Sequence, residues 1–266
     1  MEKAFSIVTP SYNQGDFVGE TIKSVMAQDY PGVEHIVVDN CSTDRTNDIL
    51  KKYPHLDLVC EPDQGQSDAV NKGFKKASGD IIGWLNADDL YLPGCFKAVS
   101  DFFVANPSCD LVYGNYRLID VTGKVLSYRQ ELSFDLFMLK YLHVLYIPST
   151  TTFFRRRVIE EGNFLDTQYH YAMDYEFFLR LALKGYKFHH IPKFLADFRT
   201  HADSKTQKQT LAPKQEMEKA LLQHDPYLRR FNGIGRAGMR GALMAAARLE
   251  RYMLKFFNGA YFYSEK

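Results

Sequence analysis

The sequence predicts an α/β fold in which helices cover both faces of a mostly parallel, doubly wound sheet. Short apolar runs alternate with amphipathic helical patterns through the first half of the chain, and such alternation is typical of parallel βαβ units. Polar clusters directly follow four apolar runs, at 9–13, 39–44, 63–68 and 86–89. Because ligands bind beyond the carboxyl ends of the strands in such sheets, the clusters predict one shared site.

The first half contains four strands and three helices in alternation. Strands are predicted at 5–8, 35–38, 56–60 and 80–85. The first helix places a set of apolar residues on one face: Val18, Ile22, Val25 and Met26. The second helix follows a cap at Asp44 and runs toward Tyr53, and the third covers 67–77.

The second half is less regular. Strands are predicted at 111–113, 151–154 and 187–191, and a helix at 174–183. After residue 211 the composition changes, and from 226 to 266 the chain has eight Lys and Arg against two Glu, interleaved with small and apolar residues. This segment is predicted to be a basic, helical extension.

The overall composition excludes several classes of protein. The chain has 266 residues, 45% hydrophobic and 24% charged, which is ordinary for a globular protein. A net charge of +1 gives no argument for a nucleic-acid partner. The four cysteines form no CxxC pair, which argues against a zinc ribbon or a disulfide framework. The sequence shows neither a signal-peptide pattern nor the ~20 apolar residues of a membrane span, so we expect a cytoplasmic location.

Asp88 and Asp89 form an acidic pair directly after the fourth strand. Adjacent carboxylates repel each other unless a cation lies near them. Mg²⁺ and Mn²⁺ prefer carboxylate oxygens and often keep substrate phosphates as further ligands. The alternative is a solvated acidic turn that caps the next helix. The position beside three other polar strand ends favours the metal site.

Three further residues at the strand ends have the chemistry to bind a nucleotide. Asp39 can accept hydrogen bonds from a ribose or a base, Tyr12 can stack on a base, and Asp68 begins a helix from which it could contact the base. A helix cap and simple loop packing are the alternatives for Asp39 and Tyr12. Lys72, one turn after Asp68, is interpreted as a solvated helix residue rather than a phosphate ligand.

Four ordered segments resemble the pattern of glycosyltransferase family 2. They are SIVTPSYN at 6–13, VVDNCSTD at 37–44, SGDII at 78–82 and NADD at 86–89. The resemblance covers about residues 4–200 and implies a GT-A fold and transfer with inversion of the anomeric configuration. It also implies a catalytic domain at 1–211, with a nucleotide-sugar half at 1–115 and an acceptor half at 116–211, followed by the extension at 212–266.

The resemblance also assigns site residues. It implies that the nucleotide pocket is lined by Pro10, Tyr12, Asp39 and Asp68. Asp88 would contact the ribose or phosphate side of the donor, and Asp89 would hold Mn²⁺ or Mg²⁺ with Asp88 nearby. Many family members have Asp where this chain has Asn86, so the metal would depend more heavily on the remaining carboxylates.

Asp174 is the candidate catalytic base, because it matches the acidic motif of the family's acceptor half. An inverting transferase needs a group that takes the proton of the acceptor hydroxyl, and a helix N-terminus favours the ionised carboxylate. The alternative is a helix N-cap, which favours the same residue type. Glu176 is interpreted as a helix-surface residue.

Arg199 and His201 form a cluster that resembles an Arg-x-His element of related transferases. The arginine could neutralise the donor pyrophosphate, and the histidine could complete the metal ligands or contact the donor. A structural role is the alternative for the histidine.

The extension contains two further signals. Residues 233–238 match GxGxxG, but no hydrophobic strand precedes them, so we reject a dinucleotide site and predict the start of a helix. Basic and apolar residues, with aromatics at 261–263, could lie on the inner face of an anionic membrane. Packing on the core or on another subunit is the alternative, and the oligomeric state stays open.

Together these observations predict an inverting transferase that moves a sugar from a nucleotide diphosphate donor, with a UDP-sugar favoured, to a glycan or lipid-linked acceptor. The pathway would be the synthesis of a surface polysaccharide or glycolipid. One alternative is a non-catalytic partner subunit that binds the nucleotide sugar. The other is a sugar nucleotidyltransferase, which needs a glycine-rich, arginine-bearing loop that 9–15 does not provide.

Overall fold

The structure, a computed structural model, describes residues 4–142, 144–201, 211–225, 227, 230 and 233–257. Its strands are β1 Phe5–Ser11, β2 Val33–Asp39, β3 Asp57–Cys60, β4 Ile81–Trp84, β5 Leu90–Tyr91, β6 Leu111–Ile119, β7 Val125–Arg129, β8 Phe153–Arg155 and β9 Phe188–Arg199. Its helices are α1 Val18–Met26, α2 Thr46–Leu50, α3 Gln66–Lys76, α4 Cys95–Ala105, α5 Leu136–Tyr141, α6 Arg157–Glu160, α7 Met173–Leu183, α8 Ala212–His224 and α9 Gly233–Phe257. A short 3-10 turn, Ser149–Thr151, precedes β8.

The strands form one sheet in the order β3-β2-β1-β4-β8-β6-β9-β5, with β7 beside β6. The first four strands are parallel, as the alternating pattern predicts. β8 runs antiparallel between β4 and β6, and β5 runs antiparallel to β9. Parallel pairing returns between β6 and β9. The carboxyl ends of β1, β2 and β4 therefore share one edge with the end of β9.

Apolar side chains cover both faces of this sheet. One core cluster joins the sheet to α3, α5, α7, α8 and α9. A second joins its opposite face to α1 and α4, and a third, smaller cluster joins β2 to α1 and α2. β1 is buried at all seven positions, because a central strand of a parallel sheet is covered on both sides. A methyl group added at Gly73 of α3 would collide with Val8 of β1, so this glycine allows the helix to lie close to the sheet.

Some local expectations differ from the structure. Met26 is 56% exposed and does not belong to the buried face of α1. Asp44 does accept a hydrogen bond from the Thr46 N–H at 2.9 Å, but α2 is short and ends at Leu50. β9 is longer than predicted and includes Arg199 as its last residue, because it pairs with β6 along most of its length.

The described part of the extension is helical, and the rejected GxGxxG segment forms the start of α9. Ala247 is fully buried against the core. The Arg240 guanidinium pairs with Glu218, which links α9 to α8. In the part of the chain that the structure describes, no helix combines the length and apolar character of a bilayer span. Residues 261–263 lie outside the described residues.

His35 lies in the core of β2 and is 2% exposed. Its Nε2 is 2.9 Å from the Thr9 Oγ1 on β1. Burial, with a smaller contribution from the nearby His55, lowers the pKa of His35 from 6.5 to about 3. The imidazole of His35 is therefore neutral in the folded protein at pH values well above 3.

We predict that His35 makes the protein less stable as the pH falls from about 6 toward 4. The unfolded chain takes up a proton near pH 6.5 and the folded chain only near 3, so the free energy of unfolding should lose up to about 1.4 kcal/mol per pH unit through this residue. Urea denaturation of His35→Gln at several pH values should show a shallower slope. The exposed His170→Gln is the control, and an unchanged slope in His35→Gln would contradict the prediction.

Candidate donor and metal site

The two carboxylates of the acidic pair have different environments. Asp89 is 1% exposed. Its Oδ1 accepts the Arg199 backbone N–H at 2.9 Å, and its Oδ2 accepts the Thr150 hydroxyl at 2.7 Å. Burial, together with the charge of Asp88, raises the pKa of Asp89 well above its ordinary value. The Asp89 carboxylate is thus enclosed by protein groups.

Asp88 faces a different neighbour. Its Oδ2 lies 3.0 Å from the His201 Nε2, with 20% of the Asp88 side chain and 8% of the His201 side chain exposed. Two ligands that bind one metal at about 2.1 Å and at right angles are separated by about 3 Å. The two atoms are within hydrogen-bond distance, and the same spacing would also suit two ligands of one hard divalent cation.

No group of three or more His, Cys, Asp or Glu that could hold a metal occurs among the described residues. A cation at Asp88 and His201 would thus take its remaining ligands from water or from the phosphates of a donor, as Mg²⁺ commonly does. The sequence assigned the metal chiefly to Asp89. The structure instead directs Asp89 toward Thr150 and the backbone of Arg199, so its geometry favours Asp88.

Arg199 also differs from its expected place. It is 1% exposed. Its Nε donates to the Asp88 carbonyl at 2.9 Å, its Nη1 to the Val121 carbonyl at 2.9 Å, and its Nη2 to the Glu20 carboxylate at 2.5 Å. The guanidinium also lies over the Phe17 ring, 5.1 Å from its centroid. These contacts fix the loop of the acidic pair and do not direct the guanidinium toward a pyrophosphate.

Asn86 connects the acidic pair to α3. Its Oδ1 accepts from the Trp84 Nε1 at 3.0 Å and from the Gln66 Nε2 at 2.8 Å, and its Nδ2 lies 3.3 Å from the Asp89 Oδ2. An aspartate here would lack the donor that faces Asp89. Asn86, at the position where many family members have Asp, thus has a hydrogen-bond partner in Asp89. The sequence alone did not reveal this contact.

Two residues of this centre were missed in the sequence. Thr21 of α1 donates its hydroxyl to the carbonyls of Ala87 and Asp89, both at 2.9 Å. Thr150 belongs to a polar run, Ser149 followed by three threonines, between Ile147-Pro148 and Phe153-Phe154, and this polar run was the available signal.

The nucleotide side of the site is built from the ends of β1 and β2. Asp39 is fully buried, and its carboxylate accepts the Ser42 hydroxyl at 2.6 Å and the Ser42 N–H at 2.8 Å. Asn13 accepts the Thr43 N–H at 2.9 Å, which joins the two loops. Pro10 is buried in β1, whereas Tyr12 is 56% exposed and open to a stacking partner. Ser42 therefore fixes the orientation of the Asp39 carboxylate at the end of β2.

Asp68 and Lys72 form a local cluster at the start of α3. The Asp68 Oδ2 accepts the Gln64 N–H at 3.1 Å and lies 3.6 Å from the Lys72 Nζ. The Lys72 side chain is only 22% exposed, donates to the Pro62 carbonyl at 2.7 Å and pairs with Glu61 at 3.0 Å. The interpretation of Lys72 as a solvated residue is wrong, because its ammonium group is held by these oxygens.

Asp174 lies in the first turn of α7, whose N-cap is Ala172. Its Oδ1 is 2.8 Å from the N–H of Tyr175. The residue before it, Met173, contacts the Ser67 hydroxyl through its sulfur at 3.0 Å. Gln66, the residue before Ser67, donates a hydrogen bond to Asn86. The starts of α3 and α7 are therefore in contact, and Asp174 lies at the same end of the sheet as the acidic pair.

Glu176 is not a surface residue as expected. It is 1% exposed, and its Oε1 lies 2.7 Å from the Arg180 Nε and 2.8 Å from the His224 Nε2. The buried carboxylate thus connects α7 to α8. The sequence could not reveal this role, because His224 is 48 residues away.

Comparison with known proteins identifies the family of this chain. The model of "Glycosyl transferase family 2" matches residues 6–162. The chain belongs to glycosyltransferase family 2. It is 30% identical to an uncharacterized glycosyltransferase of Rickettsia typhi over 226 residues, which covers 80% of this chain and 69% of that protein. It is 32% identical over 139 residues to the putative teichuronic acid biosynthesis glycosyltransferase TuaG of Bacillus subtilis, covering 49% of this chain and 55% of TuaG.

Solved structures with the same architecture confirm the GT-A fold. Residues 1–349 of Staphylococcus aureus TarS in complex with UDP superpose with a TM-score of 0.68 at 18% identity, over 98% of this chain and 75% of that one. The mannosyltransferase PcManGT of Pyrobaculum calidifontis, in complex with GDP-Man and Mn²⁺, gives 0.60 at 19% identity, over 98% and 87% of the two chains. These structures confirm the predicted fold, and the family model confirms the family predicted from the four sequence segments.

Proposed function

We propose that the protein is an inverting glycosyltransferase that moves a sugar from a nucleotide diphosphate, with a UDP-sugar favoured, to a hydroxyl of a glycan or lipid-linked acceptor. The observation that carries the proposal is the Asp88–His201 pair, with 3.0 Å between Oδ2 and Nε2, at the end of β4 in a family 2 chain. The bound molecules of the similar structures support the donor class: UDP and UDP-GlcNAc in TarS, and GDP-Man in PcManGT.

In the proposed donor site, residues at the ends of different strands have different roles. Asp88 and His201 hold Mn²⁺ or Mg²⁺, which would offset the negative charge on the leaving diphosphate. Pro10, Tyr12, Asp39 and Asp68 line the nucleotide pocket, and the exposed Tyr12 ring stacks on the base. The roles first expected of Asp89 and Arg199 change: Asp89 holds the chain at Arg199, and the Arg199 guanidinium fixes the backbone of Asp88.

Asp174 is the proposed catalytic base. Its place in the first turn of α7 favours an ionised carboxylate, which can accept the proton of the acceptor hydroxyl. The acceptor oxygen then attacks the anomeric carbon on the face opposite the leaving group, and the configuration inverts. A partner subunit without activity would not need this carboxylate at the same end of the sheet as Asp88, and membership of family 2 disfavours a nucleotidyltransferase.

The name of the Bacillus subtilis relative supports a role in the synthesis of a surface polysaccharide or glycolipid. We assign the nucleotide sugar to 1–115, the acceptor to 116–211 and the extension to 212–266. The outward face of α9 is apolar, with Leu249 63% exposed, Tyr252 55% and Phe256 47%. We place this face against the inner surface of an anionic membrane, where the exposed Arg248 beside it would meet the anionic headgroups.

We predict that Asp88→Asn loses metal-dependent donor binding. The amide cannot supply an anionic ligand, and the affinity for UDP-GlcNAc in the presence of Mn²⁺ should fall at least about tenfold. Calorimetric titration with Mn²⁺ or with EDTA measures the effect, and GDP- and dTDP-sugars measure the base preference. The exposed Asp48→Asn is the control. Full metal-dependent binding in both Asp88→Asn and His201→Gln would refute the assignment.

Asp174→Asn should bind the donor normally but lower kcat by about 10²–10⁴, because removal of a general base affects proton transfer and not the donor site. The readout is release of UDP in the presence of acceptor, with donor affinity measured separately. Asp166→Asn, in the loop before α7, is the matched control. Unchanged turnover in Asp174→Asn would mean that another residue is the catalytic base.

The membrane assignment predicts cosedimentation with phosphatidylglycerol vesicles and weaker association with phosphatidylcholine vesicles. Leu249→Ser combined with Phe256→Ser should reduce the bound fraction about tenfold, since two apolar side chains no longer enter the interface. Val104→Ser is the control, because Val104 is 77% exposed on α4. Equal binding of all three proteins, or a concentration-dependent dimer lost in the double variant, would contradict the membrane contact.

A further inference from the structure

The start of α7 is held by a side chain from another helix. Ala172, the N-cap residue of α7, makes no side-chain hydrogen bond that could cap the helix. Instead the Glu216 carboxylate of α8 accepts three successive backbone N–H groups. The N–H of His170 lies 3.1 Å from each carboxylate oxygen, and those of Tyr171 and Ala172 lie 2.8 Å from the Oε2. One charged acceptor therefore fixes the three peptide units directly before the helix.

The same face of α8 makes two further contacts just before these peptide units. The Lys219 Nζ lies over the Tyr169 ring, 4.7 Å from its centroid, and the Gln223 Oε1 accepts the Tyr169 hydroxyl at 2.9 Å. Glu216, Lys219 and Gln223 are spaced by three and four residues, so they project from one face of the helix. Tyr169 is fully buried. Residues 169–172, which we call the α7 entry segment, are therefore held by one side of α8.

The α7 entry segment also contacts α3. The Tyr169 carbonyl accepts the Ser67 hydroxyl at 3.1 Å, and the neighbouring Gln66 donates to Asn86 beside the acidic pair at 2.8 Å. The segment thus connects α8 to the helix that contacts the donor site. Asp174 follows the segment by two residues. A displacement of the segment would therefore displace the first turn of α7 and the carboxylate that it bears.

We propose that Glu216 is a positioning residue for Asp174: it fixes the α7 entry segment and thereby the place of the base relative to the donor. This inference rests on the proposed function of Asp174. A catalytic group displaced by about 1 Å can lower the rate about 10²-fold, so a carboxylate that touches neither donor nor acceptor can control turnover. The C-terminal extension would then take part in the reaction through α8.

The first test follows hydrolysis of UDP-GlcNAc by the full chain with Mn²⁺ and with water as the acceptor, well below the unfolding temperature of each variant. Glu216→Ala should lower kcat about 10- to 100-fold and leave the affinity for UDP-GlcNAc unchanged. Glu218→Ala is the matched control, because Glu218 lies on the same helix but pairs with Arg240 of α9. It should lower stability and keep kcat. An unchanged kcat in Glu216→Ala, or an equal fall in Glu218→Ala, would overturn the proposal.

A double-mutant cycle shows whether Glu216 acts through Asp174. In the Asp174→Asn background, Glu216→Ala should cause no further fall in kcat, because the group that it positions has been removed. A further fall of the same size would overturn the proposal. Full turnover in Asp174→Asn alone would refute the proposed base and this inference with it. A fall in Asp174→Asn without one in Glu216→Ala would refute this inference alone.

Hydrogen exchange tests the positioning step without donor or acceptor. In Glu216→Ala the backbone amides at 170–175 should exchange faster, because their acceptor is lost, whereas those in the second half of α7 should keep their protection. Glu216→Gln serves if the alanine variant folds poorly, since it replaces one carboxylate oxygen by an NH₂ group that cannot accept a hydrogen bond. Unchanged exchange at Asp174 in both variants would overturn the proposal, as would loss of protection along the whole helix.

Discussion

The buried carboxylate of Asp89 is the constraint on which the site depends. It receives the Arg199 N–H from the end of β9 and the Thr150 hydroxyl from the turn before β8. These two elements come from the second half of the chain, whereas Asp89 follows β4 of the first. A buried acceptor that loses its donors costs about 1–3 kcal/mol. Asp89 therefore fixes the position of the first half of the sheet relative to the second, at the edge where the polar strand ends meet.

This arrangement explains why neighbouring aspartates have different environments. With the Asp89 side chain directed into the protein, Asp88 remains at the surface of the cleft, beside His201. The buried Arg199 guanidinium donates hydrogen bonds to the Asp88 carbonyl and to the Glu20 carboxylate. The backbone of Asp88 is therefore fixed by a side chain that is itself held in place. Such enclosure limits the movement of the Asp88 side chain, as the proposed metal site would require.

The parallel half of the fold was predictable because its signal is local. Buried strands, amphipathic helices and polar strand ends all appear within short windows of sequence, and they gave β1 to β4 and the clusters at Asp39 and Asp88. The roles of Arg199 and Glu176 were not predictable, because Glu20, Asp88 and His224, which they contact, are far away along the chain. The antiparallel insertion of β8 between β4 and β6 was hidden for the same reason: its pairing is decided by packing of distant strands and not by its own composition.

Glu176 has a consequence for the architecture of the whole chain. This carboxylate, near the start of the helix that bears Asp174, pairs with Arg180 and lies 2.8 Å from the Nε2 of His224 of α8. Met217 and Leu221 of α8 belong to the same hydrophobic core as the central strands. A protein shortened before α8 would lose one of the two partners of a carboxylate that water cannot reach. Removal of α8 would therefore also disturb the helix that bears Asp174, because the two helices share a buried polar contact and one hydrophobic core.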